Sequence, residues 1–593
     1  MPTAHRSEAL SWHSFEGWVG TRRSGVALFL IAGLAFALQS AVLPVGPGRD
    51  MGRYVQAFLQ LGYHDPLLTS VADTRGPLAS LGVGVPLELG GTAAEVWLGL
   101  LYAASIVAWS AVAMHFGPRA ALLTAAFLLV SPPYAILFHG LSSDSLFAAA
   151  FAAWALLLAR AILRPSLTTF AVAGLGMGGL VLVRPANQLL IVITVLPFVI
   201  RAPWGDRARW AAGFFIASTA VTQGWKVVMT LRYGDATGLK PSGAFLVVAL
   251  VLAIPLAPAQ LKRWLVVVSI PLLVLGLVLR GGVNPVRDAR ALAQSPPASV
   301  FLFRAFEVDR IVSPDNGPES RRLANVVKHE LLPKEPYRSY GVTLDDVFSS
   351  GSDRIFGDVT GVSGGIDLSA VTSEAIRAHP RAFASGIART ARSLLWARVF
   401  ASVSAPADDQ GEKQSPSASP SDGPFVVVNG RRLPAPSEGQ PIPASRIGPV
   451  INTLYGRARE VWRSPTEHSF VFDDPRDEHR YEAFQRDTDR LASRIPTRSA
   501  NVSLVHRFNQ ASRIFPPPFV WLVAGALALA IRRPRRSLVA VGPAVAGLVV
   551  IIGTSLVAVA VSEYSLPVTP AFMLLAAAGL AGRRDPEPGP RPV

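Results

Sequence analysis

The chain has 593 residues, of which 50% are hydrophobic and only 16% charged, and its mean hydropathy is +0.36. That balance excludes a soluble multidomain enzyme and suits a polytopic membrane protein. There is no cysteine, which excludes disulfides, Cys-ligated zinc, iron–sulfur clusters and thiol nucleophiles and leaves any metal to His or carboxylates. The formal net charge of +16 comes from basic residues in short loops beside apolar runs. Membrane orientation and anionic lipid heads account for them there, so nucleic-acid binding is not expected.

In chain order, a cytoplasmic N-terminus of residues 1–24 leads into apolar spans at 25–46, 92–114, 119–138, 144–163, 166–184, 187–203, 208–228, 243–258, 263–281, 515–532, 537–560 and 565–582. Each is near the ~17–25 residues that a bilayer requires. The fold class is therefore an all-α polytopic membrane protein of about twelve transmembrane helices. Ala35-Phe36-Ala37 mimics a signal-peptidase site, but the apolar run continues to Val45 and further spans follow, so the first helix is expected to stay uncleaved.

Residues 25–283 form a transmembrane core whose first outer loop is 47–91. The polar stretch 284–514 is a domain-sized extracytoplasmic insert of mainly helical and irregular structure. Within it, Pro380 to Val399 and Pro475 to Ile495 read as helices, while 415–443, rich in Pro, Ser and Gly, reads as a flexible connector. The C-terminal helices occupy 515–582, and 583–593 is a cytoplasmic tail. No internal repeat of fixed period is visible.

A cytoplasmic N-terminus puts Arg22, Arg23, Arg119, Arg160, Arg164, Arg201, Arg207, Arg209, Lys262, Arg263, the Arg532–Arg536 cluster, Arg583 and Arg584 on the inside, as the positive-inside rule requires. Arg75, Arg184, Lys226 and Arg232 then fall outside, where orientation does not explain them. The same face collects Asp50, Tyr54, His64, Asp65, Asp73, Glu88, Asp144, Glu563 and Tyr564, most within a few residues of a helix end. Acids and bases on one membrane face suit a reaction between a lipid-linked substrate and an extracytoplasmic acceptor, with a carboxylate taking a proton and cations holding a lipid phosphate as it leaves.

Four pieces of this pattern resemble the GT-C superfamily of polyprenyl-phosphate-sugar-dependent glycosyltransferases, in particular its protein mannosyltransferase and aminoarabinose transferase-like branch. Asp50-x-x-x-Tyr54 resembles the acidic motif of the family's first loop, and Thr74-Arg75-Gly76-Pro77 its downstream basic and proline element. Ser131-Pro132-Pro133 followed by Leu141-Ser142-Ser143-Asp144-Ser145 is similar to the family's turn between the third and fourth helices, where a second acid faces outward. Gly178-Gly179-Leu180 leading to Val183-Arg184-Pro185 resembles its Gly-rich fifth helix, and Glu563 to Pro570 a late outer turn. The insert carries no motif of assignable chemistry and resembles segments of actinobacterial membrane proteins.

The resemblance implies transfer of a sugar from a polyprenyl-phosphate donor to an envelope glycan, lipid or protein, with inversion at the anomeric carbon and Asp50 as general base. Arg75, Arg184, Lys226 and Arg232 would hold the donor phosphate, Tyr54, Glu563 and Tyr564 would bind substrate, and Asp144 would orient the acceptor or assist the base. Two departures stand out. Met51 follows Asp50 where many members carry a second acid, so the sequence gives a divalent metal no support while leaving one possible, and no arginine stands beside Tyr564.

Each residue also has an ordinary explanation. Asp50 could end a helix as a solvated loop acid, Asp144 could cap the fourth helix, and the arginines could anchor helices by snorkelling. His64 and Asp65 lack a spaced partner for a metal, Asp473-Asp474 suits the start of the helix at Pro475, and the glycines of 174–179 suit close helix packing. The alternative function is a multi-pass transporter or lipid flippase, which would place polar groups near the bilayer midplane in repeated halves. A non-enzymatic envelope scaffold would tolerate change at Asp50.

Overall fold

The computed structural model describes residues 21–62, 75–233, 301–401 apart from 335–336, 339–340, 350–358 and 360–365, four short strands between 425 and 472, 474–495, 501–557 apart from 533 and 535, and 561–582. The expected spans at 243–258 and 263–281 lie outside the described residues, as do His64, Asp65, Asp73 and Asp473.

Helix α1 (Arg22–Ser40) starts behind Thr21, whose hydroxyl accepts from Ser24 N at 3.3 Å. It ends earlier than hydropathy suggests, because Pro44 and Pro47 cannot continue a helix. The chain instead extends into a two-residue strand, β1 (Gly46–Pro47). The expected first loop then carries two helices, α2 (Met51–Gly62) and α3 (Pro77–Leu89). Met51, Tyr54, Val55 and Leu59 give α2 one buried stripe at helical spacing. Phe58 packs where a Cβ on Gly84 of α3 would have to sit.

Beyond α4 (Gly91–Ala113), the single span expected at 119–138 is broken. Pro132 and Pro133 separate α5 (Pro118–Leu129) from α6 (Pro132–Phe138) with a bend of 66°, and the Ser131 hydroxyl accepts from Tyr134 N at 3.4 Å to restart the helix. Strand β2 (Gly140–Leu141) leads into α7 (Ser143–Leu163), and a Ser166/Thr169 capping box opens α8 (Leu167–Val183). The stretch Pro185–Val199 is a 3₁₀ helix, whose rise of ~2.0 Å per residue carries fifteen residues roughly 30 Å. Helix α9 (Trp204–Tyr233) follows. It runs parallel to α8, with Gly174 and Gly178 against Phe214, Ser218 and Val221, so the glycine run serves close packing.

The insert holds α10 (Pro318–Val326), α11 (Leu344–Ser349), α12 (Leu368–Ala378), α13 (Pro380–Leu395) and α14 (Pro475–Ala492). It also contains two antiparallel hairpins, β3 (Phe425–Val428) with β4 (Arg431–Pro434) and β5 (Ala458–Trp462) with β6 (His468–Phe472). The first hairpin, with Val428 opposite Arg431, falls inside the Pro- and Ser-rich stretch. Asp474 accepts from Arg476 N at 2.8 Å and caps α14, the role expected for that acid.

Helices α15 (Val502–Ile514), α16 (Pro518–Arg532), α17 (Leu538–Val557) and α18 (Thr569–Ala581) close the chain. In α18 every residue from Thr569 to Gly579 is buried, and Gly525 and Gly579 let it approach α16 closely. Among the described residues five helices are long and apolar enough to cross a membrane, or six if the bent α5–α6 pair is one span. Pro77–Leu89, Leu167–Val183, Pro185–Val199 and Leu566–Ala581 are apolar but shorter, so the described residues give fewer full-length spans than hydropathy suggested.

Residues 302–375 build an apolar core of their own around Phe306, Val327, Tyr337, Val347 and Val371, whereas Leu394, Val399, Tyr481, Phe484 and Leu491 join the main core. Arg304 docks the first unit. It is fully buried, pairs with Asp309 Oδ2 at 2.9 Å and donates to the backbone carbonyl of Ser555 in α17.

Helix α10 is capped from a distance: Glu374 of α12 accepts from Ser320 N and Oγ at 2.8 and 2.7 Å and from Glu319 N at 3.1 Å. Burial pushes the Glu374 carboxyl up, but the Ser320 and Glu319 donors and Arg321 outweigh it and leave the group below its ordinary 4.5. A carboxylate depressed in the folded state stabilises above its unfolded value, and that contribution is lost as pH falls through the folded one. Glu374→Gln should therefore lower the melting temperature of the full-length protein at pH 6 to 7, with the gap from wild type closing as the buffer is taken well below pH 4.5.

Candidate active site

Close backbone approaches bring four distant segments to one end of the bundle. Strands β1 and β2 pair in parallel, Gly46 with Gly140 and Pro47 with Leu141, and three residues beyond the second pair stand Asp50 and Asp144. Gly48 makes the pairing possible, since a Cβ there would lie 2.7 Å from Ser142 Cβ and 2.8 Å from the Leu141 carbonyl. Gly76 likewise sits against the carbonyls of Leu182 and Val183, so that Arg75 lies beside the end of α8 where Arg184 begins. Any side chain at Gly76 would push those two segments apart.

Asp50 takes a left-handed backbone conformation, φ 57°, which Asp tolerates better than most residues. Its carbonyl accepts from Arg53 N and Tyr54 N at 2.9 and 3.1 Å, so Asp50 turns the chain into α2 and its carboxylate stands at the positive end of that helix. The carboxylate is 33% exposed and meets Arg75 Nη1 at 3.2 Å, and the Arg75 guanidinium lies 5.5 Å from the Tyr54 ring centre.

Asp144 is held differently. Ser142 is the cap of α7, accepting from Asp144 N at 3.1 Å, which leaves the Asp144 carboxylate free for Arg184 at 2.7 Å. Both partners are largely buried, with side chains 5% and 12% exposed. Arg184 ends α8, and its guanidinium also lies 5.9 Å from the Phe147 ring and 4.6 Å from the Tyr564 ring. Tyr564, in the short 3₁₀ turn Ser562–Tyr564, is approached by Arg49 as well, at 4.8 Å. Arg49, Asp50 and Glu563 all lie within electrostatic reach of Asp144.

The structure thus gathers Asp50, Tyr54, Arg75, Asp144, Arg184, Glu563 and Tyr564, and adds Arg49 and Phe147, which the sequence did not single out. Arg49 was legible by the argument that selected Arg75, since it stands in the same expected outer loop. No residue next to Tyr564 supplies the arginine missing from the late turn, but Arg49 and Arg184 reach the ring from far away in sequence. Lys226 and Arg232 lie in the last turns of α9, whose parallel packing on α8 puts that part of the backbone at the Arg184 end. Their side chains are outside the described residues. Glu88 belongs elsewhere: it pairs with Arg494 at 3.1 Å, tying α3 to the insert beyond α14.

The two ion pairs differ in what it takes to open them. The partly exposed Asp50–Arg75 pair contributes at most ~1 kcal/mol, whereas parting the buried Asp144–Arg184 pair would strand a charge at a cost of about 3–5 kcal/mol. Unused donors surround the first pair. Arg75 Nε and Arg49 Nη1 are buried without a hydrogen-bond acceptor among the described residues, an arrangement that an incoming anion would satisfy. No group of three or more His, Asp or Glu suited to a metal occurs among the described residues.

No protein-family profile matches the chain, and no curated protein sequence does. Similar solved structures are those of ArnT from Cupriavidus metallidurans. The one bound to undecaprenyl phosphate has a TM-score of 0.29 and 17% identity, covering 63% of this chain and 81% of that one. The apo state has a TM-score of 0.28 and 16% identity, covering 64% and 82%. Superpositions this loose decide neither fold nor chemistry.

Asp144→Ala should destabilise the protein by about 3–5 kcal/mol, while the paired change Asp144→Leu with Arg184→Met should recover most of that loss. Unfolding in detergent with increasing denaturant measures both. Additive losses in the double variant would show that the two side chains are not a coupled pair.

Proposed function

We propose that the chain is a membrane glycosyltransferase of the GT-C type, moving a sugar from a polyprenyl-phosphate donor to an acceptor on the extracytoplasmic face. The observation that carries this reading is the pairing of an accessible carboxylate, Asp50, with guanidinium donors on Arg49 and Arg75 that have no acceptor among the described residues, beside the arginine-flanked Tyr564. A base next to guanidinium groups able to hold a phosphate is what transfer from a phosphate-linked sugar requires.

In this mechanism the donor phosphate displaces Asp50 from Arg75, since the exchange gives up a pair worth at most ~1 kcal/mol and fills unsatisfied donors. Asp50 then takes the proton of the acceptor hydroxyl as its oxygen bonds the anomeric carbon. The bond from that carbon to the phosphate oxygen breaks with its electron pair, inverting the centre, and Arg75, Arg49 and Arg184 balance the charge left on the polyprenyl phosphate. Lys226 and Arg232, at the same end by their backbone position, add to that cationic rim. Asp144 acts through Arg184, holding its guanidinium in place, and Tyr54, Glu563 and Tyr564 line the sugar's approach.

Purified protein incubated with a panel of radiolabelled polyprenyl-phosphate sugars and envelope acceptors tests the assignment. Asp50→Asn should lower the transfer rate by about 10²–10⁴-fold with little change in donor KM. Arg75→Gln should instead raise donor KM and also lower kcat, because its charge is needed in both the ground and the transition state. Equal transfer by wild type and Asp50→Asn would remove Asp50 from the mechanism, and absence of transfer with every donor would favour a transporter or flippase.

A further inference from the structure

Away from this site, two stretches without any acidic residue meet where a membrane-spanning helix begins. Residues 375–407 contain Arg377, Arg381, Arg389, Arg392 and Arg398 but no Asp or Glu, and residues 490–562 contain none before Glu563. The structure joins them. After α13 the chain extends along α15, where the Asn509 side chain bonds both backbone groups of Ala401, at 2.8 and 2.9 Å, and Ser512 Oγ donates to the Val399 carbonyl at 2.6 Å.

That seam carries large groups that water alone would not favour. Trp396 is 47% exposed and stacks on Phe519, in the first turn of α16, at 5.1 Å. Phe400, 44% exposed, lies under the Arg513 guanidinium at 5.6 Å, and Ile514 is 85% exposed. Arg392, Arg398, Arg507 and Arg513 are exposed around them, and no carboxylate pairs with any of the four among the described residues. Arg532, at the other end of α16, marks the opposite membrane face.

We propose that this surface binds the anionic headgroups of the surrounding bilayer, seating the second half of the insert on the membrane. Exposed aromatic rings at the level where an apolar helix begins belong at the lipid–water boundary, and arginines that have no acid partner find theirs in lipid phosphates. The alternating Ala–Arg–Val–Phe–Ala run of 397–401 serves this, since Ala397, Val399 and Ala401 are buried while Arg398 and Phe400 face out. The charge and apolar surface of the patch are complementary to a headgroup layer and not to a soluble anion. The proposal is independent of the glycosyl-transfer reading.

Full-length protein reconstituted in phosphatidylcholine vesicles, with a small fraction of dibrominated phosphatidylglycerol or dibrominated phosphatidylcholine, tests it by tryptophan quenching. The wild-type signal minus that of Trp396→Phe isolates Trp396. The anionic bromolipid should quench it at a several-fold lower mole fraction than the neutral one, and 0.5 M salt should shrink the difference. Arg398→Gln with Arg513→Gln should erode the preference by about five-fold per arginine, with an unchanged melting temperature. Equal quenching by the two lipids would overturn headgroup recognition. Absence of quenching by either would place Trp396 in water and turn the patch towards an acidic polymer. Loss of the preference on adding equimolar soluble glycerol phosphate would show an anion site that is not specific to the membrane.

Discussion

An acid and a base buried at the end of an apolar bundle cannot be separated cheaply, and the Asp144–Arg184 pair is the constraint on which the rest of the site hangs. The two residues end different elements, the start of α7 and the end of α8, so their attraction fixes how those helices meet. Arg184 in turn presents a flat cation to Phe147 and Tyr564, which draws the late 3₁₀ turn into the same place. A buried pair offers little net stability over well-packed apolar residues, but removing one partner strands the other's charge.

Around that fixed pair stands a looser one. Asp50 and Arg75 are both on the segment between α1 and α4, which is folded back by Gly48 and Gly76 onto backbone carbonyls that would exclude any side chain. The two pairs differ in burial, and burial alone makes one tight and the other easily parted. The left-handed turn at Asp50 has the same character: it places a carboxylate where a helix N-terminus supports its charge while keeping it open to solvent.

The insert is tied to the membrane part at several points with different physics. Arg304 reaches the Ser555 carbonyl from within a buried cluster, Arg494 holds Glu88 and the last carbonyls of α3, and the 397–401 segment is stitched to α15 by side-chain amides and hydroxyls. Helix α14 meanwhile lies across α2, the helix that begins at Asp50. The insert therefore contacts both the Asp50 side and, through α13, the Tyr564 side of the site.

The sequence by itself determined that the chain belongs in a membrane, because twenty apolar residues in a row have one favourable solvent, and it identified Asp50, Arg75, Asp144 and Arg184 by charge at helix ends. It also indicated the helices beginning at Pro380 and Pro475 and the packing role of the glycines in α8, since proline, caps and small residues act locally. It could not show that the 119–138 span is bent at Ser131-Pro132, that the first loop holds two helices, or that Ser142 and not Asp144 caps α7. Hydropathy averages over such turns, and a cap depends on which side chain finds a better partner elsewhere. Arg49 could have been singled out by its charge as Arg75 was, but its approach to Tyr564, more than five hundred residues away, could not be read from the chain. Only the tertiary structure decided which acid pairs with which arginine, because that choice rests on long-range closure around Gly48 and Gly76 and leaves no periodic trace in the chain.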